Sequence, residues 1–253
     1  MAPRRRCSRS PELPIRVETI SQTGSTNMDL LGRVARGEAV PEGYWLVADR
    51  QTDGRGRQGR SWLDAPGNFM GSTVVNLQSS DPLPASLSFV AAMAAYEVVV
   101  NHLAAPQTLV IKWPNDLMLA GAKLSGILLE RVGDSAVIGI GVNLVAAPEL
   151  AGRETRHLAE TGPAPDRDAF ARDLATSFDR ELDRWRQFGL DPLFARLLAA
   201  SYPLGSVLTV HSADGTWVTG EFCGLESDGA LRLRLSDGTM CAIHAGDITE
   251  ERG

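Results

Sequence analysis

The chain has 253 residues, 43% of them hydrophobic and 22% charged, with a formal net charge of −6. That acidic balance excludes a general nucleic-acid coat, which needs a basic face over much of its surface. The length fits one large domain with or without a small one. Three cysteines, Cys7, Cys223 and Cys241, at neither metal-ligand nor disulfide-framework spacing, fit a reducing cytoplasm.

The opening "MAPRRRCSRSPELP" has no apolar run after its basic residues, so it is no secretory signal, and a disordered tail is expected over residues 1–14. In "GSTNMDLLGRVARGE", Ser25 and Thr26 suit a helix N-cap, and Leu30, Leu31 and Val34 follow at helical spacing. "YWLVADR" and "NFMGSTVVNL" read as strands. The most apolar stretch, Leu83 to Leu103, is long enough to span a membrane. Ser86, Ser88, Glu97 and Asn101 interrupt it, which makes it a buried core helix. "TLVIKWP" is a strand stopped by Pro114, and "AKLSGILLERV" and "SAVIGIGVNL" are neighbouring strands joined at Gly133 and Asp134. Phe170, Leu174, Phe178, Leu182 and Trp185 mark an amphipathic helix over Asp168 to Phe188, ended by Gly189. A short helix near Leu193 to Ala200 follows.

From Ser206 the texture changes. Four short strand-like runs are separated by Asp-Gly pairs at Asp214-Gly215, Asp228-Gly229 and Asp237-Gly238, which suit tight hairpins. These elements predict an α+β fold: a mixed β-sheet covered by helices over residues 15–202, then a small antiparallel barrel over 203–253. A unit of about 50 residues has too little core to stand alone, so it is expected to pack on the larger domain.

Between strands, "TDGRGRQGRSW" (Thr52 to Trp62) fits G-x-G-x-x-G at Gly54, Gly56 and Gly59. A dinucleotide site would open a helix there. Instead Pro66 and Gly67 follow with no helical apolar repeat, and three arginines interleave the glycines. Arg50 to Arg60 holds four arginines and one aspartate on an acidic chain, which points to an anionic ligand. In "VIKWPNDLML", Lys112 and Asp116 flank a sharp bend after Pro114. On spacing alone they are either a surface ion pair or an ATP site, with the lysine on phosphate and the aspartate on Mg²⁺. Gly126, in "AKLSG", marks either a ligand's close approach or a tight sheet contact.

Taken in order, "GSTN", "QTDGRGRQGRSW", "KWPNDLML", "KLSGILLE" and "GIGVNL" resemble the biotin protein ligase family, over Ile15 to Leu144. The chain looks like the short form of that family, with too few residues before "TGSTN" for a helix-turn-helix. The resemblance implies a class II synthetase-like catalytic fold with a C-terminal SH3-like barrel. It further implies activation of biotin by ATP and Mg²⁺ to biotinyl-5′-adenylate, and transfer of biotin to a lysine of a biotin carboxyl carrier domain. Neither nucleic acid nor membrane is implied as a partner, and monomer and homodimer stay open.

By the same resemblance, Lys123, Arg57 and Lys112 are the catalytic cations and Asp116 the metal ligand. Ser25, Thr26 and Gln51 pair with the ureido head, and Asn27 belongs to the same binding set. Gly54, Arg55, Gly56, Arg57 and Arg60 form the loop over the intermediate, and Trp62 stacks on adenine. Asn115, Lys123, Gly126 and Asn143 complete the ligand-binding set. The chain departs from the common pattern at Asp53, where a small residue is usual, and at Ser125, where alanine is usual; Asp53 is expected to weaken anion affinity. The rival readings are a lipoate or octanoate transferase, a biotin-responsive DNA regulator and a dehydrogenase.

Overall fold

A computed structural model describes residues 15–150, 152–212 and 215–249. The predicted tail, Cys7 and the Asp214 half of one Asp-Gly turn lie outside the described residues.

The larger sheet has seven strands: β1 (Arg16–Ile20), β2 (Tyr44–Ala48), β3 (Phe69–Asn76), β4 (Leu109–Lys112), β5 (Asp116–Leu119), β6 (Ala122–Val132) and β7 (Ser135–Val142). Their order is β1-β2-β3-β7-β6-β5-β4. Only β1 and β2 run parallel; the other pairs are antiparallel, so the sheet is mixed as expected. Side chains alternate between faces along a strand, and the two faces here have different partners. Trp45, Val47, Phe69, Ile138 and Ile140 point to one face. There α2 (Leu87–Val100), α3 (Arg167–Phe188) and α4 (Leu190–Ala199) complete the main core. Trp45 meets Phe178 edge-on at 5.5 Å, and Phe69 meets Phe170 at 5.6 Å. On the other face Leu46, Val74 and Val137 pack with Leu30, Leu31 and Val34 of α1 (Thr26–Ala35), beside Ile20, Val40 and Tyr44. One short helix cannot cover that face, and the rest of it is open for a site.

The apolar stretch from Leu83 is a buried helix, and no helix among the described residues is long and apolar enough to cross a membrane. The helix starts four residues later than expected. Pro84 sits in a single 3₁₀ turn, Pro84–Ser86, and regular α-helix begins only at Leu87. α3 starts at Arg167, where the Asp166 side chain accepts from the Ala169 N–H at 2.8 Å, and it ends at Gly189 with φ +74°.

The C-terminal sheet has five strands against four expected runs: β8 (Val207–Ser212), β9 (Trp217–Leu225), β10 (Leu231–Arg234), β11 (Met240–Ile243) and β12 (Gly246–Thr249), in the order β11-β10-β9-β8-β12. The extra strand, β12, pairs with β8. It escapes the pattern because it is short and follows β11 after only His244 and Ala245. The core of this sheet is continuous with the main one, and the Trp113 indole N–H donates to the Gly229 carbonyl at 3.0 Å. The small unit is thus packed on the large one. Trp113→Phe is expected to leave the Gly229 carbonyl without its donor and to lower stability by about 1–3 kcal/mol. Urea unfolding measures this, and an unchanged midpoint would show that the contact carries no weight.

Candidate active site

On the α1 side of the sheet, β5, β6 and β7 set Asp116 opposite Gly126, and Gly126 opposite Gly141. The two glycines leave a bare patch of backbone. A Cβ on Gly141 would stand 2.4 Å from the Trp62 indole, and one on Gly126 would stand 3.1 Å from the indole and 3.2 Å from the Lys123 ammonium. Only glycine lets Trp62 and Lys123 lie this close to the sheet. The floor carries one ion pair, Lys123 Nζ to Asp116 Oδ1 at 2.7 Å, with both side chains about four-fifths buried. The Lys123 backbone is held from the far side, donating to the Glu154 carbonyl and accepting from the Arg156 N–H, each at 2.9 Å.

The Gly-Arg loop crosses above this floor. Trp62 N–H donates to Gly54 O at 2.8 Å and Gly56 N–H to Arg60 O at 2.7 Å, so the segment folds back on itself. A 3₁₀ turn, Arg57–Gly59, forms its tip, with Gln58 and Gly59 at φ +57° and +71°. No helix opens here, which removes the dinucleotide reading. The Arg57 guanidinium donates to Asn115 Oδ1 at 2.8 Å, and Asn115 in turn donates to the Ile127 carbonyl, so the loop is tied to the sheet. Arg60 pairs with Asp247 of β12. Burial works against ionisation of Asp247. Arg60, with Arg57 and Arg153 behind it, more than offsets this and holds the carboxyl below its usual range.

At the other end stands a buried polar network at the start of α1. Ser25 occupies the N-cap position, but its side chain makes no cap bond. Instead the Thr26 N–H donates to Gln51 Oε1 at 2.8 Å. The Asn27 amide donates to Glu130 at 2.8 Å, which leaves Asn27 Oδ1 facing Ser72. A chain of four oxygens results: Gln51 Oε1, Thr26 Oγ1, Ser72 Oγ and Asn27 Oδ1, spaced 3.1, 2.7 and 2.7 Å. Both amide oxygens are acceptors only, and each hydroxyl brings one proton. With the Thr26 N–H on Gln51 Oε1, Thr26 Oγ1 can donate to Ser72 and Ser72 to Asn27 Oδ1, so both amide oxygens have a donor and the network is left rich in spare acceptor lone pairs.

These parts enclose one cavity of about 500 Å³. It unites Ser25, Thr26, Asn27, Gln51, Arg55, Gly56, Arg57, Arg60, Trp62, Asn115, Asp116, Lys123, Gly126 and Asn143 from the sequence-derived set. Two members lie elsewhere. Gly54 is in the wall, where a Cβ would meet the Trp62 carbonyl at 2.4 Å. Lys112, paired with Asp116 in the strand register, lines an adjoining cavity that shares Asn115, Asp116 and Lys123 with the first. The lining carries five cations, Arg55, Arg57, Arg60, Lys123 and Arg153, against two carboxylates, Asp116 and Asp247. Among the described residues, the buried Trp62 Nε1 and Asn143 Oδ1 have no hydrogen-bond partner. A site with surplus positive charge, an acceptor-rich polar end and orphaned polar atoms suits an elongated ligand, anionic at one end.

The comparisons agree with that shape. The biotin/lipoate A/B protein ligase family profile matches residues 21–144, and the biotin protein ligase C terminal domain profile matches residues 209–249. A biotin–[acetyl-CoA-carboxylase] ligase of Paracoccus denitrificans is 37% identical, over 85% of this chain and 92% of its own. One from Mycobacterium tuberculosis is 34% identical, over 93% and 89%. The chain belongs to the biotin protein ligase family. A family member from Aquifex aeolicus, solved with biotin and ATP, superposes with a TM-score of 0.78 at 26% identity, covering 94% of this chain and 99% of that one.

The two departures from the family pattern differ in place. Asp53 is 75% exposed, lies outside the cavity lining and faces Arg55 at 3.7 Å. Ser125 is buried and donates to the Gly141 carbonyl at 2.7 Å, pinning β6 to β7 beneath Trp62. Ser72, Gly139, Arg153 and Asp247 were missed. Gly139 lay in plain view in "GIGVNL": a Cβ there would stand 2.5 Å from Asn27 Oδ1. The other three carry no local motif, because only the fold brings them in. Gly141→Ala is expected to lift the Trp62 indole from the floor and raise its exposure to an aqueous quencher. Fluorescence quenching, read against Trp62→Phe, tests this; equal quenching of Gly141→Ala and the parent chain would contradict it.

Proposed function

We propose that this chain is a biotin–[acetyl-CoA carboxylase] ligase acting in the cytoplasm. It joins biotin to ATP as biotinyl-5′-adenylate and then passes the biotinyl group to one lysine of a biotin carboxyl carrier domain. Residues 15–202 form the catalytic unit and 203–253 the C-terminal domain. One observation carries the reading: a single cavity joins a buried network rich in acceptor oxygens to a floor bearing Lys123, with the arginines of a Gly-rich loop above it.

The ureido head of biotin brings two N–H donors and one carbonyl to the Thr26, Asn27, Gln51 and Ser72 network. Those N–H groups can donate to the spare lone pairs of its oxygens. The ureido donors, once buried, need acceptors of this kind, because leaving one unpaired costs about 1–3 kcal/mol. That separates biotin from a lipoyl or octanoyl chain, whose ring or tail donates nothing.

The reaction then needs two anions to meet. A carboxylate oxygen of biotin attacks the α-phosphorus, the bond to the bridging oxygen of the β-phosphate breaks, and pyrophosphate leaves. Lys123 stands where it can hold both oxygens, and Arg57 and Arg60 face the same space from the loop, so the repulsion is offset by fixed charge. Lys112, in the adjoining cavity, is placed for the departing phosphates. Trp62 offers its ring to adenine, and Asn143 its free Oδ1 to the sugar. Among the described residues no cluster of three His, Cys, Asp or Glu side chains suits a metal. Asp116 fits Mg²⁺ as a single carboxylate whose remaining positions come from phosphate and water. That ion would neutralise phosphate charge. In the second half, the carrier's lysine amine attacks the acyl carbon, the C–O bond to AMP breaks, and the amine loses its proton. Until then the loop keeps water from the mixed anhydride.

Labelled biotin, a purified carrier domain and ATP test the whole: label should reach the carrier only with ATP, and transfer without ATP or none with it would reject the assignment. Lys123→Gln is expected to slow adenylate formation by about 10²–10³-fold, as for loss of a charge-stabilising donor. A pyrophosphate-release assay reads this, and a normal rate would remove Lys123 from the mechanism. Arg57→Ala should still form adenylate but lose it to solution faster. Chromatography of the free intermediate without carrier tests that, and parent-like retention would count against the loop's role.

A further inference from the structure

Asp247 lies on β12, in a different sheet from the catalytic strands, in register with His211 of β8. Its carboxylate lines both cavities. It pairs with Arg60 of the Gly-Arg loop, and Arg153 approaches it to 3.7 Å. Arg153 comes from the segment between β7 and α3, where the Glu154 carbonyl accepts from the Lys123 N–H and Thr155 pairs with Lys123. One carboxylate therefore touches both chain segments that roof the cavity.

We propose that Asp247 is a positioning residue, a latch by which the C-terminal sheet holds the Gly-Arg loop and the Arg153 segment closed over the acyl-adenylate. This rests on the biotin ligase reading above. A carboxylate beside an anion site looks at first like a competitor for its cations. The geometry of Arg60 points the other way. Both of its described contacts, to Gln58 and Asp247, run through Nη2. A guanidinium has five N–H donors on separate edges, so Nε and Nη1 can serve a phosphate while Asp247 keeps its hold. Charge allows it too, since the lining retains three more cations than anions with Asp247 in place. A latch answers a need of this loop: Gly54, Gly56 and Gly59 make its ordered state entropically expensive, and the Arg57–Asn115 bond secures one side only. Asp247 secures the other and makes closure depend on the second sheet.

The test compares the parent chain with Asp247→Asn, which keeps shape and removes charge, and with Asp247→Glu. Adenylate is formed from labelled biotin and ATP, then chased with unlabelled biotin, and its release is timed without carrier. Asp247→Asn should still release pyrophosphate in a burst but lose the adenylate about tenfold faster, the k_off effect of breaking a half-buried charge pair. Asp247→Glu should recover most of the retention. Release from Asp247→Asn at the parent rate overturns the latch. So does faster release that Asp247→Glu leaves uncorrected, because that marks packing rather than charge. Should Asp247→Asn not fold, the parent chain decides: release should quicken as salt rises, and a flat salt dependence overturns the latch. A parent chain that forms no adenylate overturns the biotin ligase reading itself.

Discussion

Gly126 and Gly141 face each other across β6 and β7, and the site depends on their having no side chains. A sheet face normally bristles with side chains about one strand spacing apart. Here two adjacent positions are bare, so an indole and a lysine stem can lie on the backbone itself. β5 adds Asp116 in register with Gly126, and Asp116 holds Lys123. Ser125 stitches β6 to β7 from within the same turn of sequence. The Lys123 ammonium is thus fixed by strand pairing, while the arginines above it ride on a glycine-rich loop. A rigid floor under a closable roof suits chemistry that must first admit two anions and then shut out water.

The two ends of the cavity do different work. The network around Thr26 and Ser72 is buried and rich in acceptor oxygens. The floor and loop carry surplus cations, so they select by charge. Neither alone would distinguish biotin from other small acids, or ATP from other nucleotides. Placed end to end along one cleft, they ask for a molecule with a donor-bearing head and an anionic tail. The C-terminal sheet joins this arrangement through Asp247 and through the Trp113–Gly229 bond, so it is part of the site's architecture as well as of its stability.

Much of this was legible in the sequence, for definite reasons. Periodicity revealed α3, a long apolar run broken by a few polar residues revealed the buried helix α2, and the strands around "KLSGILLE" and "GIGVNL" announced themselves through a Gly-Asp turn. The Gly-Arg loop stood out as a basic island on an acidic chain. What stayed hidden depends on contacts distant in sequence. Ser72 reads as one more strand residue until β3 sets it beside Thr26 and Asn27. Asp247 lies 187 positions from Arg60, and no local pattern could pair them. Lys112 shows the converse. Its nearness to Asp116 was read correctly from the bend, and β6 brings Lys123 to that carboxylate as well. Gly54 sits in the wall, where a side chain would meet the Trp62 carbonyl.

The central claim is that an N–H-bearing head and an anionic phosphate tail are recognised together, at opposite ends of one cleft. Calorimetric titration with two non-hydrolysable sulfamoyl adenylates, one biotinyl and one octanoyl, tests it most directly. The account predicts that the biotinyl compound binds tighter by about 10-fold or more, the octanoyl one losing the paired head group. Equal binding of the two, or a preference for the octanoyl compound, would contradict it.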